Sequence, residues 1–265
     1  MDGFELITYL SQNALTISLS ATRIAVAFFI IPLFTSELIP GLVRNTIYIS
    51  MAIITLILQP VVDLNTLTTS AWIVLFVKEA ILGITIGVMF GVFLWAFETA
   101  GQIIDNQIGA SVAQVQDPLT GIQTTLIGSF MGRLANYIFI TSGGLLLLTG
   151  AILESYLIWP IDKTLPGLMP AGVNVLGGEF YYYLKLTLLI ASPMIIVILF
   201  VDSMMGLINR YAQQFNVFFL SMSLKSLASI LILMLTMVTI IQRLIYELNQ
   251  HAGQLPSVLK NLYGQ

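Results

Sequence analysis

The feature that most limits what this chain can fold into is a series of long apolar runs. Six stretches, at about 14–34, 43–62, 72–97, 123–149, 183–206 and 216–246, are rich in Leu, Ile, Val, Phe and Met and nearly free of charge. A bilayer core about 30 Å thick is crossed by roughly 20 helical residues rising 1.5 Å each. None of the runs shows the strict alternation of a barrel strand. A helix satisfies all of its own backbone polar groups where water is absent. The expectation is an all-α, polytopic membrane protein of about six long apolar helices.

Composition supports this reading. Only 9% of residues are charged and 57% are apolar, whereas soluble domains carry about 25% charged residues. A surface so poor in charge must be covered by lipid or by other protein. The net charge of −3 leaves no basic stripe for nucleic acid. The chain has no cysteine and one histidine, His251, which removes disulfides and argues against Cys/His metal sites. The acidic N-terminus (Met1-Asp2-Gly3-Phe4-Glu5) lacks the basic start of a secretory signal, so the first run is expected to persist. The lysines and arginines scatter over both possible sides, and charge alone sets no orientation.

Breaks separate the runs: Pro32, Pro40 and Gly41; Pro60, Asp63 and Asn65; a polar Gln/Asn/Gly stretch over 98–124; a Pro- and Gly-containing loop over about 150–182; and a short turn near Asn209, Arg210 and Gln213. The tail from about 247 is polar and expected at an interface. No internal repeat is visible.

Several residues invite a specific role. The third run contains Gly83, Gly87 and Gly91 at four-residue spacing, with Glu79 one turn earlier on nearly the same face. Small residues so spaced let helix backbones approach closely. Packing within the chain and a seam with another subunit are both open. Glu79 is costly in lipid and should face a polar interior or a cation. Lys78 lies about 100° further round the helix, which makes it a poor partner on angular grounds. Arg23 and Arg133, deep in their runs, are expected in buried pairs; Asp202 and Lys225 either face a protein interior or snorkel from a span end. Within 98–124, Glu98, Gly101, Asp105 and Gly109 would share one face if the helix continued. The stretch suits a re-entrant or cavity-lining element, or a solvated loop.

No catalytic constellation emerges. Glu98, Asp105 and Asp117 have no fixed separation and no accompanying histidine, and no HExxH, GxSxG or P-loop pattern occurs. Asp105 and Asp202 lack the Gly-x-Gly-Asp setting of a membrane aspartyl protease. No catalytic and no metal residues are assigned. A small-solute transporter is the main rival function, but it predicts inverted repeats, and none is seen. A membrane hydrolase is more remote.

Three segments carry a resemblance. Asp202-Ser-Met-Met-Gly-Leu-Ile-Asn-Arg210, continuing through Asn216-Val-Phe-Phe-Leu-Ser-Met-Ser-Leu-Lys225, is similar to the signature of the SctT/FliR family of type III secretion export proteins. Gln213 and Ser223 stand where that family usually has proline. Gly143-Gly144-Leu145 with Ser155-Tyr156-Leu-Ile-Trp159-Pro160 resembles the injectisome branch, SctT. Gly101 through Pro118 is similar to the family's Ala-Gly, Asp, Gly and Asp-Pro run.

The resemblance implies a structural, pore-forming subunit of the export gate. One copy would join several SctR-like and SctS-like subunits and SctU to pass unfolded secreted proteins across the bacterial inner membrane. It implies an SctR-like part over 1–180 and an SctS-like hairpin over 181–265, no cofactor, no nucleic acid, and an assembled core displaced toward the periplasm. In that case several apolar helices would pack on partners rather than on membrane lipid. It also implies a pore plug in the connecting stretch, carried onto Ser111, Val112, Ala113, Gln114, Val115, Gln116, Asp117, Pro118 and Leu119. Glu79, Gly83, Gly87, Gly91, Asn216 and Lys225 are the candidate helix-packing or subunit-seam residues.

Overall fold

A computed structural model describes residues 3–33, 39–58, 69–109, 125–163, 170–211 and 217–263. Among them the chain is all-α, with seven helices: α1 Gly3–Ile30, α2 Gly41–Leu58, α3 Thr69–Ile108, α4 Leu126–Thr141, α5 Gly144–Ile158, α6 Pro170–Tyr211 and α7 Val217–Tyr263. Among the described residues, three segments are long and apolar enough to cross a membrane: Ser70–Ile108, Gly177–Tyr211 and Val217–Gln250. The pair α4 and α5 adds a fourth if it acts as one broken span.

The count of seven differs from the expected six because the fourth apolar run is broken. Gly143 takes φ +86° and α5 starts anew at Gly144. Only glycine enters that left-handed region without strain, so an uninterrupted hydropathy signal conceals a corner. The third run errs the other way. α3 continues through the polar residues to Ile108 and stops at Gly109, with φ +84°, the usual left-handed end of a helix. Of the 98–124 stretch, the part to 108 is therefore helix.

The Pro/Gly-containing 150–182 stretch is also largely helical. α5 runs to Ile158 and α6 begins at Pro170, a first-turn position where proline's missing N–H costs nothing. The polar tail after 247 continues α7.

The described residues form two compact units. The first contains α1, α2, α3 as far as Val92, α5, and the segments 170–179 and 249–263. Its core includes Leu19, Ile24, Phe28, Leu82, Ile86 and Ile152, all buried. Phe28 of α1 lies against Tyr48 of α2, ring centroids 5.6 Å apart. The second unit holds α3 from Phe93, α4, and α6 and α7 over 180–248, with Ala100, Ile104, Met131, Ala135, Ile190 and Met194 buried.

Candidate functional site

The first unit encloses a charged cluster. Arg23 on α1 donates from Nε and Nη2 to the two carboxylate oxygens of Glu79 on α3, at 2.7 and 3.0 Å. The same guanidinium donates to the Ser155 hydroxyl at 2.9 Å and to the Trp159 carbonyl at 3.0 Å. Its Cζ lies 3.9 Å from the centroid of the Tyr156 ring, whose hydroxyl donates to the Ser20 carbonyl. Neither Arg23 nor Glu79 is exposed. The expected buried pairing of Arg23 is thus observed.

Lys78 corrects an expectation. Its Nζ lies 2.9 Å from Oε1 of Glu79. The helical angle sets where Cβ points, but a four-carbon stem lets the ammonium swing back across it. Two buried cations then share one carboxylate. The surplus positive charge is met by carbonyls beyond the C-terminus of α5, where the helix dipole is negative: Trp159 for Arg23, and Pro160, Ile161 and Lys163 for Lys78. Ser155, Tyr156, Trp159 and Pro160 are the fixed letters of the Ser-Tyr-x-x-Trp-Pro motif, and each contacts Arg23 or Lys78 here.

One and two turns along α3 the glycines meet α1. A Cβ on Gly83 would fall 2.6 Å from the Arg23 carbonyl, and one on Gly87 would fall 2.8 Å from the Ala27 carbonyl. This close approach is made within the chain. Gly91 is buried further along.

In the second unit the face bearing Glu98, Gly101 and Asp105 packs on α4. A Cβ on Gly101 would meet Gly128 Cα at 2.6 Å, and Gly132 faces the Glu98 side chain. Thr125, at the N-cap of α4, makes no side-chain capping bond. The carboxylate of Asp105 instead accepts the Gly128 N–H at 2.9 Å, capping α4 from another helix and placing negative charge at its positive end. Arg133 is exposed on α4, which overturns the expected buried pair. Its apolar neighbours in sequence hide that it sits on the uncovered face.

α6 and α7 form an antiparallel hairpin in the second unit. Near its tip, Lys225 Nζ is 2.9 Å from Asp202 Oδ1, and the Ser221 hydroxyl donates to the same oxygen at 3.2 Å. These residues, with Met205, Asn209 and Val217, line a cleft of about 470 Å³. Towards the other end, Tyr182 donates to Glu247 at 2.5 Å, and Arg243 pairs with Glu247 one turn apart. Between them, Pro193 lies inside α6, leaving the Leu189 carbonyl without its helical donor. The Ser192 hydroxyl supplies a replacement at 2.9 Å.

Much of the hairpin is uncovered. Within the most apolar window of each span, 72% is buried in the chain for α3, against 33% for α6 and 17% for α7. Phe200, Phe218, Phe219, Leu227, Met234 and Leu235 are all exposed. The expected plug residues, 111–119, and Asn216 lie outside the described residues. Among the described residues, no three of His, Cys, Asp and Glu gather as a metal-binding group.

The family of bacterial export proteins, family 1, matches residues 14–251. The chain belongs to this family, the SctT/FliR proteins of the type III export apparatus. It is 32% identical to the Yop proteins translocation protein T of Yersinia pestis over 230 residues, covering 85% of this chain and 87% of that protein. It is 30% identical to the surface presentation of antigens protein SpaR of Salmonella typhimurium, covering 82% and 81%. The flagellar biosynthetic protein FliR of Bacillus subtilis is 27% identical, covering 81% and 83%. This SctT/FliR protein is therefore a membrane-embedded component of a bacterial protein export apparatus, in the inner membrane alongside other export subunits. Both charged sites fall inside the family match: the Arg23 cluster near its start, the Asp202–Lys225 pair towards its end.

Proposed function

We propose that this SctT/FliR protein is a single-copy structural subunit of the export pore, without enzymatic activity. It joins SctR-, SctS- and SctU-like neighbours and helps pass unfolded protein substrates across the inner membrane. The observation that carries this reading is the uncovered apolar surface of the α6–α7 hairpin. Apolar helices hide their faces in lipid or against other apolar helices. The polar pair Asp202–Lys225, partly exposed at the hairpin tip, favours protein, because an ion pair facing lipid tails is costly. The division into an SctR-like part, 1–180, and an SctS-like part, 181–265, makes this hairpin the natural neighbour of SctS-type hairpins. An assembled core displaced toward the periplasm follows if partners rather than lipid cover most of these helices. Residues 111–119 are proposed as the pore plug, small and amide side chains sealing against ions.

Native mass spectrometry of the chain co-expressed with its SctR- and SctS-like partners tests the assembly. One copy bound to several of each partner is expected. A monomer or homodimer that ignores them would overturn the proposal and favour a small-solute transporter. Deleting 111–117 should leave that complex intact and make cells leak ions; unchanged permeability would refute the plug.

A further inference from the structure

Lys78 occupies a cage of oxygens. Its ammonium lies 2.7 Å from the Ile161 carbonyl, 3.1 Å from that of Pro160, 3.2 Å from that of Lys163 and 2.9 Å from Oε1 of Glu79. The side chain is not exposed. Three carbonyls accept its three protons and the Glu79 carboxylate meets its charge from a fourth side, so the cage both hydrogen-bonds and neutralises a cation. Carbonyl and carboxylate oxygens gathered at such distances are also how proteins replace the hydration shell of a bare potassium ion. Three of the four come from one short segment, 160–163, folded back on itself by the Lys163 N–H to the Pro160 carbonyl.

The charge balance points the same way. Arg23 engages both oxygens of Glu79, so Lys78 shares that carboxylate and draws further on the carbonyls at the end of α5 and on the nearby charge of Asp162. With that cation removed, the three carbonyls would lose the buried donor they share, which is costly.

We propose that Lys78 is a tethered cation that positions residues 160–163, and that its cage is a monovalent-cation site. Emptied of the lysine, it binds potassium or ammonium. The oxygen distances suit those ions better than the smaller sodium.

The test uses the purified full-length chain in detergent and its apparent melting temperature in choline, sodium, potassium and ammonium chloride at equal ionic strength. Lys78→Ala should melt below wild type in choline. It should regain about 3–5 °C in potassium or ammonium, the size expected for ligand near ten times its dissociation constant. Wild type and Lys78→Met, whose apolar stem fills the space without charge, should melt alike in all four salts. A Lys78→Ala variant with the salt response of wild type, or one raised equally by sodium, would overturn the proposal. If that variant cannot be recovered in choline, its yield on extraction in sodium, potassium and ammonium chloride decides: recovery in potassium or ammonium alone supports the site, and no recovery in any of the salts overturns it.

Discussion

Asp105 on α3 caps α4: its carboxylate accepts the backbone N–H of Gly128 at 2.9 Å, across 23 residues of sequence. Asp105 is buried, so water does not replace the bond when the side chain is cut back. Asp105→Ala should cost about 1–3 kcal/mol, while Asp105→Asn, which keeps an acceptor, should lose less. Denaturant unfolding of the purified chain measures both, and equal stability of Asp105→Ala and wild type would show that the cap is dispensable.

Glu79 pairs with two buried cations, Arg23 and Lys78. Glu79→Gln should destabilise by about 3–5 kcal/mol, the usual cost of breaking a buried pair by removing one partner. The readout is the yield and melting temperature of the chain extracted from membranes. A variant as stable as wild type would mean that the carbonyls suffice for both Arg23 and Lys78.

Gly83 and Gly150 separate a crowded glycine from an open one. Gly83→Ala places a methyl group 2.6 Å from the Arg23 carbonyl and should cost about 1–3 kcal/mol as α1 and α3 move apart. Gly150, inside α5, has no atom within 4 Å of an added Cβ, so Gly150→Ala should stabilise the isolated chain by about 0.5–1 kcal/mol through helix propensity. Thermal unfolding of the two variants side by side checks the contrast, and similar values would count against the α1–α3 contact.

Ser192 and Pro193 should be coupled. With Pro193 present, Ser192→Ala leaves the Leu189 carbonyl unbonded and should cost about 1 kcal/mol in a detergent or lipid setting. With Pro193→Ala, the restored N–H serves that carbonyl and removal of the hydroxyl should cost little. A double-mutant cycle on melting temperature reads the coupling; additive effects would disprove it.

Asp202 and Lys225 form a partly exposed pair, their side chains 41% and 13% accessible. Either single substitution should therefore change the isolated chain's stability by about 1 kcal/mol or less. If partner subunits cover the cleft, the same changes should weaken assembly far more, and the charge reversal D202K with K225D should restore part of it. Co-purification of partners with each variant distinguishes the two. Losses that track the isolated chain's stability would remove the cleft from the interface.

Much of this was legible in the sequence, for reasons that are local. Gly83 and Gly87 announced a close helix approach because small residues four apart can do little else in an apolar helix. The face shared by Glu98, Gly101 and Asp105 followed from helical geometry once α3 was extended. Arg23 had to be paired because an isolated buried charge is prohibitive. What misled was local too. The angle of its Cβ points Lys78 away from Glu79, and the hydropathy of its neighbours points Arg133 inward. The partners of Arg23 in and just after α5, 132 and 136 residues away, leave no periodic trace.

By itself, the sequence determined an all-α membrane protein and, through its motifs, the SctT/FliR family. Both depend on residue type and spacing along the chain, which hydropathy and helix geometry read directly. Only the tertiary structure decided that the fourth run turns at Gly143, that α1 rather than another subunit fills the groove at Gly83, and that α5 ends on two cations. Each of these depends on which atoms meet across long separations. Hydrophobic burial sets no register between helices, so these meetings depend on close contacts and hydrogen bonds that exist only once the helices are packed.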